Sequence, residues 1–185
     1  MRVVVITPPD PIVSLDQAKQ HLRVLSDDED ALITATIEAA TANIDGPDGW
    51  LGRSIGVQTL EARFSQGETG PVRLPFGPVI ELLSVKYLDG TGSEQAGSIS
   101  DFDLFGSDLA PSSAWPWGGE SRNQEAVRVR YRAGYETIPA PIRAAILLMV
   151  GDLWAFRQTV EVGSVAQVPM SAGVESLLTS YRLFA

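Results

Sequence analysis

The stretch Ala126-Val127-Arg128-Val129-Arg130-Tyr131-Arg132-Ala133-Gly134-Tyr135-Glu136-Thr137-Ile138-Pro139-Ala140-Pro141-Ile142-Arg143-Ala144-Ala145-Ile146-Leu147-Leu148-Met149 changes its period in the middle. Up to Ala133, apolar and basic residues alternate with the two-residue period of a half-buried strand. Strand geometry puts Val127, Val129 and Tyr131 on one face and the guanidinium groups of Arg128, Arg130 and Arg132 on the other. Beyond Gly134 the pattern turns helical. Pro139 and Pro141 suit a first turn, where a missing N–H costs nothing. Ile142, Ala145, Ile146, Met149, Leu153 and Phe156 then form one apolar stripe. A strand that feeds a long apolar helix predicts an α+β fold.

That helix is too apolar for one contact. Leu147, Leu148, Val150 and Trp154 lie mostly outside its stripe, and a helix apolar nearly all round must be covered nearly all round. One side is expected to face the sheet. The other, with Leu147, Leu148, Val150, Trp154 and Arg157, is expected to face a second chain. The arginine stripe has two readings besides solvation: it pairs with acidic groups of a neighbouring subunit, or it touches passing DNA.

Upstream, Val57 to Phe64, Val72 to Leu74 and Ile80 to Leu88 read as strands separated by turn signals, with a short addition at Asp101 to Phe105. Asp89-Gly90 is a tight-turn dipeptide. Together with Ala126 to Ala133 they predict a small antiparallel β-meander of three to five strands. A long loop, Gly106 to Glu125, interrupts it and carries Trp115-Pro116-Trp117. Such loops are usually functional or flexible. The two tryptophans either anchor an interface, stack on a sugar, or fold back on the sheet.

Two helices precede the strands. Ser14 and Gln17 have capping-box spacing before Leu15, Ala18 and Leu22. Ser26 and Glu29 repeat that spacing, with Asp27, Asp28 and Asp30 complementing the helix dipole, and Ile33, Ile37, Ala40 and Ile44 come after them at helical intervals. The acidic run lacks the glycine and distal glutamate of a calcium loop. Gly46-Pro47 ends the second helix. Arg2 to Ile6 is strand-like, and Pro8, Pro9 and Pro11 keep the chain extended up to the first helix.

After Arg157 the sequence loosens through Gly163, Ser164, Pro169, Ser171 and Gly173, and ends in Val174, Leu177, Leu178, Tyr181, Leu183 and Phe184. Burying these side chains contributes roughly 9–18 kcal/mol, and ordering about twelve residues costs as much. The tail must therefore dock on its own body or on a partner. The expected organisation is an extended N-terminal arm at 1–13, a core domain at 14–160 with three main helices packed with the meander, and a linker and docking tail at 161–185.

The 185 residues are 44% hydrophobic and 20% charged, which describes a globular chain rather than a disordered one. The net charge of −9 excludes wrapping DNA by phosphate neutralisation, although the chain can still surround DNA. Lys19 and Lys86 are the only lysines among 14 basic residues. Without cysteine, neither a disulfide nor thiolate chemistry is available. Arg2-Val3-Val4-Val5-Ile6 is too short for the apolar core of a signal peptide, and the run from Ala144 to Gly151 is too short to span a bilayer.

Enzymatic signatures are weak. Gly52-Arg53-Ser54-Ile55-Gly56 matches the G-x-S-x-G nucleophile elbow, but that motif needs a strand before it, a helix after it and a later histidine. Here a helix precedes it, strand-like sequence succeeds it, and the single histidine, His21, comes earlier. A glycine-flanked turn is the simpler reading. His21 alone cannot hold zinc. Asp101, Asp103 and Asp108 are not placed around a cleft by any pattern. Neither an enzyme nor a cofactor site is expected.

Several pieces in order carry a resemblance: Pro8-Pro9, Val13-Ser14-Leu15 through Lys19 and His21-Leu22-Arg23, the acid-capped helix, Leu74-Pro75-Phe76-Gly77-Pro78-Val79, Val127 to Tyr131 with Ala133-Gly134-Tyr135, Ile138-Pro139-Ala140-Pro141-Ile142-Arg143-Ala144-Ala145-Ile146, and Gly173-Val174-Glu175-Ser176-Leu177-Leu178 with Tyr181-Arg182. In this order the chain resembles the head–tail connector (adaptor, head-completion) proteins of long-tailed phages and gene transfer agents. The resemblance implies a structural subunit in a ring of about twelve copies in the neck of a virion or virion-like particle, assembled in the bacterial cytoplasm. It implies a portal protein on one side, a stopper or tail-tube protein on the other, and DNA passing through without specific binding. It implies no membrane partner. It places the portal-binding tail at Val174, Leu177, Leu178, Tyr181, Arg182, Leu183 and Phe184, and the tail-side loop at Trp115 and Trp117. The competing expectations are another neck component, such as a stopper or tail terminator, a carbohydrate-binding module using the two tryptophans, or a hydrolase using Ser54.

Overall fold

The structure is a computed structural model that describes residues 1–67, 70–117, 123–155 and 170–183. It resolves into two compact units, each built from two separate stretches. The first comprises Met1–Asp10 and Arg53–Glu136, the second Pro11–Gly52 and Thr137–Ala185. The expected arm at 1–13, core at 14–160 and tail at 161–185 are drawn along the sequence and cut across these two units.

The first unit is β-structured. Its strands are β1 (Arg2–Thr7), β2 (Gln58–Phe64), β3 (Val72–Arg73), β4 (Val79–Leu88), β5 (Glu94–Gly97), β6 (Phe102–Phe105), β7 (Asp108–Pro111) and β8 (Val127–Ala133). Five form an antiparallel sheet in the order β1-β2-β8-β4-β5, and three a second sheet in the order β3-β7-β6. The architecture is not a meander: β8, the last strand in sequence, sits between β2 and β4. The expected N-terminal arm is an edge strand, with Val3 opposite Ala62 and Val5 opposite Leu60. Pro8 and Pro9 end its ladder because they have no N–H to donate.

Alternation decides the faces as expected. Leu60, Ala62, Phe64, Val127, Val129, Tyr131, Ala133 and Val85 pack into one core with Val72, Leu74, Phe102 and Leu109 of the smaller sheet and its flanks. Tyr131 is fully buried and its hydroxyl donates to the Pro75 carbonyl at 2.8 Å. Burial pushes that hydroxyl up. Gly134, at φ +126, brings the chain against Gly56: an added Cβ would lie 2.2 Å from the Gly56 carbonyl oxygen.

The second unit is helical: α1 (Leu15–Leu22), α2 (Asp30–Ile44), α3 (Ala140–Ala155) and α4 (Ala172–Leu178). The Ser14/Gln17 capping box forms, with both reciprocal hydrogen bonds present. The second box does not. α2 starts only at Asp30, with Glu29 as its cap and no side-chain capping bond. Asp27 and Asp30 instead accept hydrogen bonds from the Lys19 ammonium at 2.6 and 2.7 Å, which raises the Lys19 pKa and lowers that of Asp27. Ile33, Ile37, Ala40 and Ile44 are buried, as their spacing predicts. α3 packs against α1, α2 and α4. The fourth helix goes beyond the three that the sequence predicts.

Candidate assembly surfaces

α3 buries Ile142, Ala145, Ile146, Met149 and Val150. Val150 was expected on the outer side, facing a second chain; it is completely enclosed instead. Leu148 and Leu153 stay 40% and 46% exposed, and Leu147 and Trp154 are half-buried. Leu153 was expected in the inward stripe. The apolar surface left over on α3 is thus centred on Leu148 and Leu153. Phe156 and Arg157 lie outside the described residues.

The C-terminal segment docks on its own unit. Ser171 caps α4, accepting from the Val174 N–H. Val174 and Leu178, four residues apart on one helix face, are completely buried, and α4 packs on α3. These two, expected to meet a portal, are therefore committed to the protomer's own core. Further on, the Leu183 N–H donates to the Leu51 carbonyl at 2.9 Å. Leu177, Tyr181 and Arg182 are half-buried and Leu183 is 42% exposed. Phe184 falls outside the described residues.

The 106–125 loop is less irregular than expected. It contains β7, which pairs with β6 through a two-residue turn at Gly106-Ser107. Trp117 is buried in the core of the first unit and stacks on Trp115, with ring centroids 4.6 Å apart. Phe102 lies against both rings. The tryptophans fold back on the sheet, so Trp117 offers no platform to a tail protein or a sugar. The aromatic exposed in this region is Phe105, at 69%, beside the turn.

The arginine stripe is neutralised from within. Arg128 pairs with Glu94 at 3.1 Å, Arg130 with Glu61 at 2.5 Å and Arg132 with Glu81 at 2.5 Å. All three carboxylates belong to the same sheet unit, not to a neighbouring subunit. Glu61 lies almost wholly buried under Arg130 and Arg63. Burial raises its carboxyl pKa, but the hydrogen bonds from the two guanidinium groups outweigh burial and hold it below the usual range. Sequence reasoning missed the glutamates because they lie on three other strands. The register, Glu61 opposite Arg130 and Glu81 opposite Arg132, is what joins them.

Ser54 is fully buried, and its hydroxyl has no hydrogen-bond partner among the described residues. A nucleophile so enclosed cannot meet a substrate. Among the described residues, no three histidine or acidic side chains cluster as metal ligands, and no helix is long and apolar enough to cross a membrane.

Comparison with known proteins agrees with this architecture. No curated protein matches the sequence. The fold matches a chain in the neck of an empty GTA particle computed with C6 symmetry, with a TM-score of 0.76 at 18% identity, covering 100% of this chain and 97% of that one. It also matches a chain in the neck of a native GTA particle computed with C12 symmetry (TM-score 0.70, 16% identity, 100% and 97% covered). A third match lies in the virion of a native gene transfer agent (GTA) particle (0.73, 18%, 100% and 97%). At such identities these matches establish the α+β fold. The phage gp6-like head-tail connector protein family matches residues 12–105, from the entry to α1 through β6 and just over half of the sequence. The chain belongs to the phage gp6-like head-tail connector protein family.

Proposed function

We propose that the chain is a structural adaptor that forms a ring of about twelve copies between the portal and the tail or stopper of a phage-like particle. The observation that carries this reading is a fold shared over the full chain with subunits of GTA particle necks, together with the family match. The C6 and C12 symmetries of those necks support a cyclic assembly. A cyclic ring needs two different surfaces on each copy, and the apolar side chains left uncovered around Leu148 and Leu153 suit one of them. Leu147 and Trp154 flank that surface. The exposed side of the C-terminal segment, Leu177, Tyr181, Arg182 and Leu183, is the portal-facing element. Val174 and Leu178 hold it in place. The chain acts without a cofactor and not as an enzyme, in the neck of a particle assembled in the bacterial cytoplasm.

The test is co-sedimentation with a portal ring, comparing the full chain with a Leu177→Ser/Leu183→Ser variant. A chain ending at Ser171 would lose Val174 and Leu178 from its core and is unsuitable. Retention of the full chain and loss of the variant are expected. Equal retention would remove the tail from the portal contact, and failure of both to bind would remove the adaptor reading.

A further inference from the structure

The outer face of the five-stranded sheet differs electrically from the rest of the chain. Arg2, Arg63, Lys86, Arg128, Arg130 and Arg132 are joined there to Glu61, Glu81, Glu94 and Glu125 by ion pairs of 2.5–3.1 Å. Six cations meet four carboxylates in these pairs, with Asp10 lining a groove beside Arg132 at one end, so the paired groups carry a small positive excess on a chain whose net charge is −9. The side chains of Arg128, Arg130 and Arg132 remain 39%, 46% and 41% exposed. They are two residues apart along β8, so they recur about every 6.8 Å, comparable with successive phosphates along a nucleic-acid strand.

We propose that this face is the surface the subunit turns toward double-stranded DNA, and that Glu81 and Glu94 act as built-in counterions that keep the arginines from holding it. The inference rests on the adaptor reading, since it needs DNA to pass the subunit. Two alternatives fit less well. A contact with a neighbouring copy would enclose the four carboxylates and Lys86 along with the arginines, and although arginine is common at protein interfaces, glutamate and lysine are depleted there. A merely solvated face does not need its guanidinium groups oriented, yet the buried Glu61 carboxylate fixes both Arg63 and Arg130. Each arginine keeps donors beyond those its glutamate takes. A passing phosphate can therefore exchange with a glutamate at little net cost. Binding stays weak and salt-sensitive, which lets DNA slide.

The first experiment uses the free chain and a short DNA duplex, with anisotropy measured across a salt series. Wild type is expected to bind weakly at low salt. Glu81→Gln/Glu94→Gln removes two counterions and is expected to bind about tenfold more tightly, with a salt slope steeper by about 2. Arg128→Gln/Arg132→Gln is expected to bind more weakly than wild type; Arg130 stays because Glu61 depends on it. A glutamate variant with unchanged affinity overturns the inference. The second experiment places a photo-crosslinking amino acid at Arg128 in DNA-filled particles. An adduct with DNA is expected. An adduct with a neighbouring copy overturns the face assignment but leaves the ring standing, whereas failure to enter particles counts against the adaptor reading and leaves the duplex result to decide the face.

Discussion

The guanidinium carbon of Arg182 lies 4.1 Å from the centroid of the Trp50 ring. One residue further, the Leu183 N–H bonds to the Leu51 carbonyl. Gly52, at φ +63, completes the fit: a Cβ there would stand 3.0 Å from the Leu183 carbonyl oxygen. The loop after α2 and the end of the chain are thus shaped to each other. A cation–π contact of this kind contributes about 0.5–1 kcal/mol at an exposed site. Trp50→Ala is expected to speed hydrogen exchange at the Leu183 amide by roughly two- to fivefold and leave the amides of α2 unchanged. An unchanged Leu183 rate would mean that the ring does not hold the segment.

The C-terminal apolar residues divide into two classes with opposite expected phenotypes. Leu178 is fully enclosed, so Leu178→Ala removes core contacts and should cost about 2–4 kcal/mol in chemical denaturation. Leu183 is 42% exposed, so Leu183→Ser should change stability by less than about 0.5 kcal/mol. Its effect should appear in portal binding instead. Comparable destabilisation by both would show that the whole segment is structural.

Reading the sequence works where local chemistry decides and fails where distant partners decide. Ser14 and Gln17 cap α1 as their spacing says, because both groups belong to one turn. Ser26 and Glu29 have the same spacing, but the helix begins only at Asp30, and Asp27 and Asp30 accept from Lys19 on α1, a partner the local pattern does not contain. β5, Glu94–Gly97, has little strand propensity and exists through its pairing with β4. β7 includes Pro111 and has the composition of a loop, yet β3 and β6 hold it on either side. α4 hides behind Gly173, although Val174 and Leu178 are four residues apart. On the candidate surfaces, strand period is enough to place the three arginines on one face. Their partners need the strand order, which no local pattern contains.

Glu61 links the ionic face to acid stability. Its folded pKa is depressed, so in the acid range the unfolded chain binds more protons at this site and stability rises with pH. The contribution is present above the ordinary glutamate pKa of about 4.3 and is lost as pH falls through the folded value. Glu61→Gln should lower stability at pH 7 by about 1–3 kcal/mol, because Arg63 and Arg130 lose a buried partner yet remain partly solvated. The variant should also lose part of the wild-type decline in Tm between about pH 5 and pH 3. Parallel Tm-against-pH curves would show that other carboxylates carry the acid response.

Gly134 sits where the sheet hands the chain to α3. Its φ of +126 is reserved for glycine, and the Gly56 backbone leaves no room for a Cβ. The amide also donates to the Pro78 carbonyl at 2.9 Å, so the residue cannot simply swing away. Gly134→Ala is expected to destabilise the chain by more than about 3 kcal/mol, from backbone strain and the clash together. A Tm within a few degrees of wild type would show that the turn between β8 and α3 has slack.

Leu148 and Leu153 allow the proposed assembly contact to be tested apart from folding. Both are on α3 and 40% and 46% exposed, while the buried side of the helix is formed by Ile142, Ala145, Ile146, Met149 and Val150. Leu148→Glu/Leu153→Glu should therefore keep the far-ultraviolet spectrum and shift stability by less than about 1 kcal/mol. At an interface the same glutamates would bury charge without a partner. In a closed ring each copy meets two neighbours, so a loss at one contact recurs at every junction and a modest weakening per contact abolishes closure. Sedimentation with a portal ring should show wild type at ring stoichiometry and the variant bound, if at all, as scattered single copies. A variant that still closes a full ring on the portal would move the subunit contact away from α3.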